Sequence, residues 1–223
     1  MRRIYDGQVG QIVPSKMGVV FAIGEKTFGG QFAVTYRFYS FDTARVTQVD
    51  RSAYLIAKFG PDYNKFISLI NDHINCHIAH LDDGKMLIVA CDANAMIIDK
   101  NGKVFWKGDL KYKDSLPLDV VYDGEYVFVS YPDIDCIVKY NSKNMHMVMR
   151  AGSVGDNAFS NPCGLSLLDG LLTVCCSTGN EIKLFDSNNF SLKTYAKLNE
   201  PVYRYYKEGV NEIVLLESGV YIF

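Results

Sequence analysis

Nowhere in its 223 residues does the chain carry a C-x-x-C pair, so the common zinc-ribbon and thioredoxin spacings are absent. It also has no G-x-x-x-x-G-K-[ST] loop, no H-E-x-x-H and no G-x-S-x-G. A phosphate cradle, a metallopeptidase helix and a serine-hydrolase elbow are therefore not indicated. No apolar run approaches the roughly 18 residues that cross a bilayer. The opening MRRIYDGQVG has two arginines but no apolar stretch behind them, unlike a secretory leader, and a cytoplasmic location is expected. An excess of one charge is missing too: 23 Lys and Arg face 25 Asp and Glu, a net charge of −2. Neither nucleic acid nor a membrane is expected as a partner.

Six cysteines are present, at 76, 91, 136, 163, 175 and 176. Without an export signal they are expected as reduced thiols, which pack as small hydrophobes. The adjacent pair sits in NPCGLSLLDGLLTVCCSTGNEIKLFD (161–186), and that stretch is one copy of a pattern. LDDGKMLIVACD (81–92), VYDGEYVFVSYPD (121–133), LLDGLLTVCCST (167–178) and YKEGVNEIVLLES (206–218) share an apolar lead-in, an acidic-Gly turn and an apolar strand. The turn glycines Gly84, Gly124, Gly170 and Gly209 lie 40, 46 and 39 residues apart. After three of these strands comes a second hairpin around DKNG, NSKN or DSNN, rich in turn formers.

Four short antiparallel strands at this period predict an all-β fold, a β-propeller with one four-stranded blade per repeat. Its inner strands, buried on both sides, read as unbroken apolar runs. Cys175 and Cys176 then point to opposite faces and into different cores. The first blade is read as strands 16–24, 30–42, 44–50 and 53–60, followed by a linker (61–74) with Phe66, Leu69, Ile70 and Ile74 at helical spacing. The chain ends on SGVYIF, a third strand without a fourth. RRIYDG at the N-terminus resembles the fourth strands VFWKG and VMRAG and is expected to close the ring there, with Ile4 and Tyr5 on opposite faces. The expectation is five blades in a single domain, roughly 14–60, 75–108, 116–152, 161–198 and 200–223 plus 1–7.

The stretch GSVGDNAFSNPCGLSLLDGLLTVCCSTGNEIKLFD (152–186) resembles an NHL repeat: a Gly-rich lead-in, Phe, Asn-Pro-x-Gly, a strand, then Thr-Gly-Asn and an Ile-x-x-Phe strand. The resemblance covers this one repeat, and implies a propeller scaffold used to bind protein, RNA or small ligands, and in some relatives for catalysis.

On a propeller, the loops around one mouth of the central channel are where ligands are expected. First-strand starts place His77, Asp119, Tyr203 and Arg204 there. The loops between second and third strands add Asp92, Asn94, Asp133, Asp135, Thr178, Asn180 and Glu217. Such oxygen-rich residues could hold a divalent cation or a polar small molecule, though Asp, Asn and Thr also simply form turns. Asp119, Asp133 and Glu217 are the best candidate catalytic acids; if they share a ligand, replacing each by Ala should cost little stability. His73, Cys76, His77 and His80 cannot converge on a metal if they lie on a strand, and no metal ligands are assigned. The resulting expectation is a monomeric, non-catalytic binding or protein-interaction module, with a protein or polar small molecule as partner. The alternative is a propeller enzyme of hydrolase, lactonase or glycosidase type.

Overall fold

The computed structural model describes residues 1–26, 32–155 and 158–223. β1 (Arg2–Asp6) stands apart at the start of the chain. Blade 1 follows as β2 (Gln11–Ser15), β3 (Gly18–Lys26), β4 (Phe32–Ser40) and β5 (Val46–Val49). A helix, α1 (Arg51–Phe59), and two short 3-10 turns lead into blade 2: β6 (His77–His80), β7 (Lys85–Val89), β8 (Asn94–Asp99) and β9 (Val104–Asp109). Blade 3 is β10 (Asp119–Tyr122), β11 (Tyr126–Tyr131), β12 (Cys136–Asn141) and β13 (Met147–Ala151). Blade 4 is β14 (Pro162–Leu168), β15 (Leu171–Cys176), β16 (Glu181–Asp186) and β17 (Ser191–Lys197). The last blade has β18 (Val202–Glu208), β19 (Asn211–Leu216) and β20 (Gly219–Ile222). Its order is β1-β20-β19-β18, so the N-terminal strand supplies the missing fourth. This is a five-bladed propeller of four-stranded antiparallel sheets.

Side-chain packing between blades explains the apolar inner strands. Five separate clusters of buried residues lie between neighbouring sectors. Cys176 belongs to the cluster between blades 3 and 4, whereas Cys175 belongs to the one between blades 4 and 5. Both are buried free thiols, in line with adjacent residues on one strand facing opposite ways.

Blade 1 departs from the sequence reading. Its first strand is Gln11–Ser15, one strand earlier than expected, and the stretch assigned to strand 53–60 is α1. The expected strand 30–42 is observed as β4 from Phe32; residues 30 and 31 lie outside the described residues. The helix wins because both of its ends are capped. The Asp50 side chain accepts from the Ala53 N–H at 2.9 Å, and Gly60, at φ 87°, donates to the Ile56 carbonyl. The linker places Phe66 and Ile70 in the core through 3-10 turns, while Leu69 stays exposed.

α1 and the turns after it form a wedge. Tyr54, Leu55, Phe59, Phe66 and Ile70 pack with Val20, Ala22 and Tyr36 of blade 1 and with Met86, Ile88 and Ile98 of blade 2. First strands of other neighbouring blades meet directly, β6 with β10, β10 with β14, β14 with β18 and β18 with β2. Between blades 1 and 2 the helix takes that place.

At the closure, Arg2 pairs with Ile222, Arg3 with Tyr221, Tyr5 with Val220 and Asp6 with Gly219. The register slips between Arg3 and Tyr5, and this bulge lets Ile4 and Tyr5 both pack on the cluster between blades 5 and 1. They do not part to opposite faces as a regular strand would require. Arg3 Nε donates to the Tyr221 hydroxyl at 2.8 Å. Gly219 has φ 151°, and a Cβ there would overlap the Tyr5 carbonyl. Deleting residues 1–7 removes this ladder at about 1 kcal/mol per hydrogen bond and exposes an apolar edge. The deletion is expected to give insoluble or oligomeric protein on a sizing column. Gly219→Ala should lower stability by roughly 2 kcal/mol or more in a melting curve. An unchanged, monomeric deletion would refute the role given to the closure.

Candidate functional site

Polar groups from blades 2, 3, 4 and 5 meet at the channel. Asp119, at the start of β10, is buried to 4% exposure. One carboxylate oxygen is ion-paired with Arg204 of β18 and accepts the Leu165 N–H of blade 4 at 2.7 Å. The other lies 3.2 Å from Nδ1 of His77 on β6. The Asp119 N–H donates to Ser130 Oγ at 3.0 Å, and that hydroxyl donates to the Cys163 carbonyl of blade 4 at 2.7 Å. Gly164 makes this convergence feasible, since a Cβ there would overlap the Tyr203 carbonyl and the Arg204 side chain.

Arg204 also reaches His77: its guanidinium lies 2.8 Å from Nδ1. Nδ1 therefore stands between a guanidinium that can only donate and a carboxylate oxygen that can only accept, and the ring is held by both. Burial, then the charges of Arg204 and Lys58, hold the His77 pKa well below its ordinary value. His77 is thus a neutral imidazole whose Nδ1 is engaged by the Arg204–Asp119 pair.

The wedge adds the remaining charge. Lys58 of α1 is 5% exposed, and its ammonium donates to Gln11 Oε1 of blade 1 at 2.6 Å and to the His73 and Ile74 carbonyls at 2.9 Å. It also lies 3.3 Å from the Tyr54 hydroxyl, which itself donates to Gln11 Oε1. All of these partners are neutral oxygens. Burial pushes the Lys58 pKa down to about 8.

Gln11, His77 and Arg204 form a septum between two cavities. A 710 Å³ cavity opens at the mouth, walled by Leu116, Pro117, Leu118, Asp133 and Tyr203, with Cys91 on its rim. A second, of 370 Å³, lies on the other side and reaches Lys58 and Asp119.

The expected site residues divide into three groups. His77, Asp119 and Arg204 meet in the septum. Asp133 and Tyr203 line the mouth, with Tyr203 also walling a smaller neighbouring cavity that carries Glu217. The rest are turn residues. Asp92 accepts from the Asn94 backbone and side chain at 3.1 and 2.7 Å, and Asp135 accepts the Asn161 N–H at 2.7 Å. Asn180 adopts φ 54°, and Thr178 is exposed in the same turn. Asp119 thus lies in the septum, whereas Asp133 and Glu217 line adjoining cavities that share Val9, Gly10 and Tyr203. Among the described residues, no three His, Cys, Asp or Glu side chains are grouped to hold a metal ion. A cation beside Asp119 would have to compete with Arg204.

Lys58 and Gln11 were missed by sequence reasoning. Once Asp50 and Gly60 are read as caps, Lys58 falls on the same helix face as Tyr54 and Leu55. A lysine on an apolar helix face was the available signal.

No protein-family model and no curated protein matches the chain. Solved structures do match, and they are β-propellers. A streptogramin B lyase shares 11% identity over 98% of this chain and 83% of its own, with a TM-score of 0.57. A catalytically inactive virginiamycin B lyase from Staphylococcus aureus, in a structure with quinupristin, shares 10% over 95% and 82%, with a TM-score of 0.55. A protein of unknown function from Bacteroides thetaiotaomicron shares 13% and has a TM-score of 0.54; the match covers 96% of this chain but 58% of that one. At such identities the likeness shows the fold alone. Among the described residues no helix is long and apolar enough to cross a membrane.

The septum reverses the stability expectation for Asp119. Asp119→Ala leaves Arg204 buried without its anion, at a cost of about 3–5 kcal/mol, whereas Asp133→Ala and Glu217→Ala should lie within about 0.5 kcal/mol of wild type. Chemical denaturation of the three variants measures this. His77 titrates near pH 6.5 when unfolded but lower when folded, so below pH 6.5 the unfolded state binds the extra proton. Its contribution is present above pH 6.5 and lost as pH falls toward the folded pKa. His77→Gln, which keeps an acceptor for Arg204, should flatten the fall in melting temperature between about pH 6.5 and 5.

Proposed function

We propose that the protein is a non-catalytic binding module whose mouth cavity takes a polar small molecule or a segment of a partner protein. One observation carries this reading: Asp119, Arg204 and His77 are engaged with one another, while an open 710 Å³ cavity of mixed lining remains above them. Its volume falls in the range of about 300–1,000 Å³ that suits small ligands. The apolar lip of Leu116, Pro117 and Leu118 supplies contact area. Asp133, Tyr203 and the Arg204–His77 floor supply orientation. Catalysis of hydrolase, lactonase or glycosidase type needs acids or a base in one place. Here Asp119 is ion-paired with Arg204, Nδ1 of His77 is engaged by the same pair, and among the described residues no three His, Cys, Asp or Glu side chains are grouped.

Cys91 makes the test direct, because it is the exposed cysteine and lies at the mouth while the other five are buried. In native protein it should react with a thiol reagent well ahead of the others. Fragments found to bind by fluorine NMR should slow that reaction, and Tyr203→Ala should weaken them by about fivefold or more, near 1 kcal/mol. If every bound fragment leaves Cys91 labelling unchanged, the mouth is not the binding site.

A further inference from the structure

The charges of the septum do not balance. Lys58 and Arg204 are both buried cations, His77 is neutral, and among the described residues Asp119 is the one carboxylate of the cluster, ion-paired with Arg204. The acids that act on Lys58 outside that cluster are the Cys76 thiol, which burial keeps protonated, and Asp72, whose oxygens already accept from the Ile74 and Asn75 N–H groups and the Asn75 side chain. One positive charge is thus left without an anion in a place where an unpaired charge is costly. Arg204 has five N–H donors, and among the described residues its partners are Asp119 and His77 alone. Both cations border the 370 Å³ cavity on the side of the septum away from the mouth.

We propose that this inner cavity is a second binding site, for a small monocarboxylate with an apolar body. A single negative charge matches the single excess cation; a phosphate monoester, near −2 at neutral pH, would overshoot it. The guanidinium donors of Arg204 suit a carboxylate head, and Lys58, whose three N–H groups are taken by Gln11, His73 and Ile74, adds its charge without a further hydrogen bond. One part of the wall, with Val13, Ile78, Val120 and Leu165, suits a short aliphatic or aryl tail; Lys207 and Glu208, which also line the cavity, are of opposite charge and leave the count unchanged. A cavity of this size lies at the small end of ligand sites and suits a short chain. The site is distinct from the mouth, since Lys58 borders the inner cavity and Cys91 the outer one.

Hexanoate is the probe, with hexanol and inorganic phosphate as controls, read by calorimetry and thermal shift on the full chain. Hexanoate should bind saturably at one per chain, raise the melting temperature and leave the rate of Cys91 labelling unchanged. Hexanol and phosphate should each bind about tenfold more weakly or not at all, the equivalent of about 1.4 kcal/mol. Lys58→Met should lose about tenfold in hexanoate affinity. If that variant does not fold, the wild-type comparison of hexanoate with hexanol decides alone. Absent or non-saturable binding, equal binding of hexanol, or protection of Cys91 by hexanoate would each overturn the proposal. Protection would place the carboxylate in the mouth and leave the mouth reading intact.

Discussion

Asp119 is the contact on which the ring depends. From blade 3 it holds an ion pair to blade 5, a close contact to the blade 2 imidazole and a backbone N–H of blade 4. A carboxylate has two oxygens and about four acceptor positions, and here they are shared among three other sheets. Its own N–H is tied through Ser130 to blade 4 as well. Sheets that otherwise touch through non-directional apolar packing are thereby fixed in angle at the axis. Burying these charges is costly, and the compensation is orientation: the first strands of blades 2 to 5 are tied to one another at the axis.

That arrangement separates structure from recognition. The groups with the most chemistry, Arg204, His77 and Lys58, are held by protein partners. The groups left facing solvent at the mouth, such as Leu116, Leu118 and Asp133, have no such constraint and are placed by loops. Ligand preference can therefore change at the mouth without disturbing the axis.

Much of this was legible in the sequence because propeller blades repeat. The acidic-Gly turns marked four hairpins, the truncated last repeat and RRIYDG marked the closure, and LLTVCC read as a doubly buried strand; the sheets and clusters agree in each case. Blade 1 was illegible for a physical reason. It lacks the acidic-Gly turn between its first two strands, and α1 has residues such as Tyr54 and Phe59 that are as compatible with a strand. The helix is decided by its caps and by tertiary packing. Within the site, His77, Asp119 and Arg204 could be named because first-strand starts point to the axis. Their mutual ion pairing could not, because it depends on how far each blade is inserted. Asp92, Asn94 and Asp135 illustrate the converse, since an Asp in a loop satisfies its own turn before it serves a ligand.

The wedge between blades 1 and 2 has a consequence for how the architecture can change. Counting repeats along the chain gives five, yet the circle is completed by five sheets and a helical shim. Adding or removing a strand alters a sheet by a whole unit, whereas α1 and the 3-10 turns can lengthen by single residues. The curvature of the ring, and with it the bore of the channel, is therefore adjustable in small steps at this seam. A chain of this design could drift toward a wider or narrower bore while every hairpin kept its register.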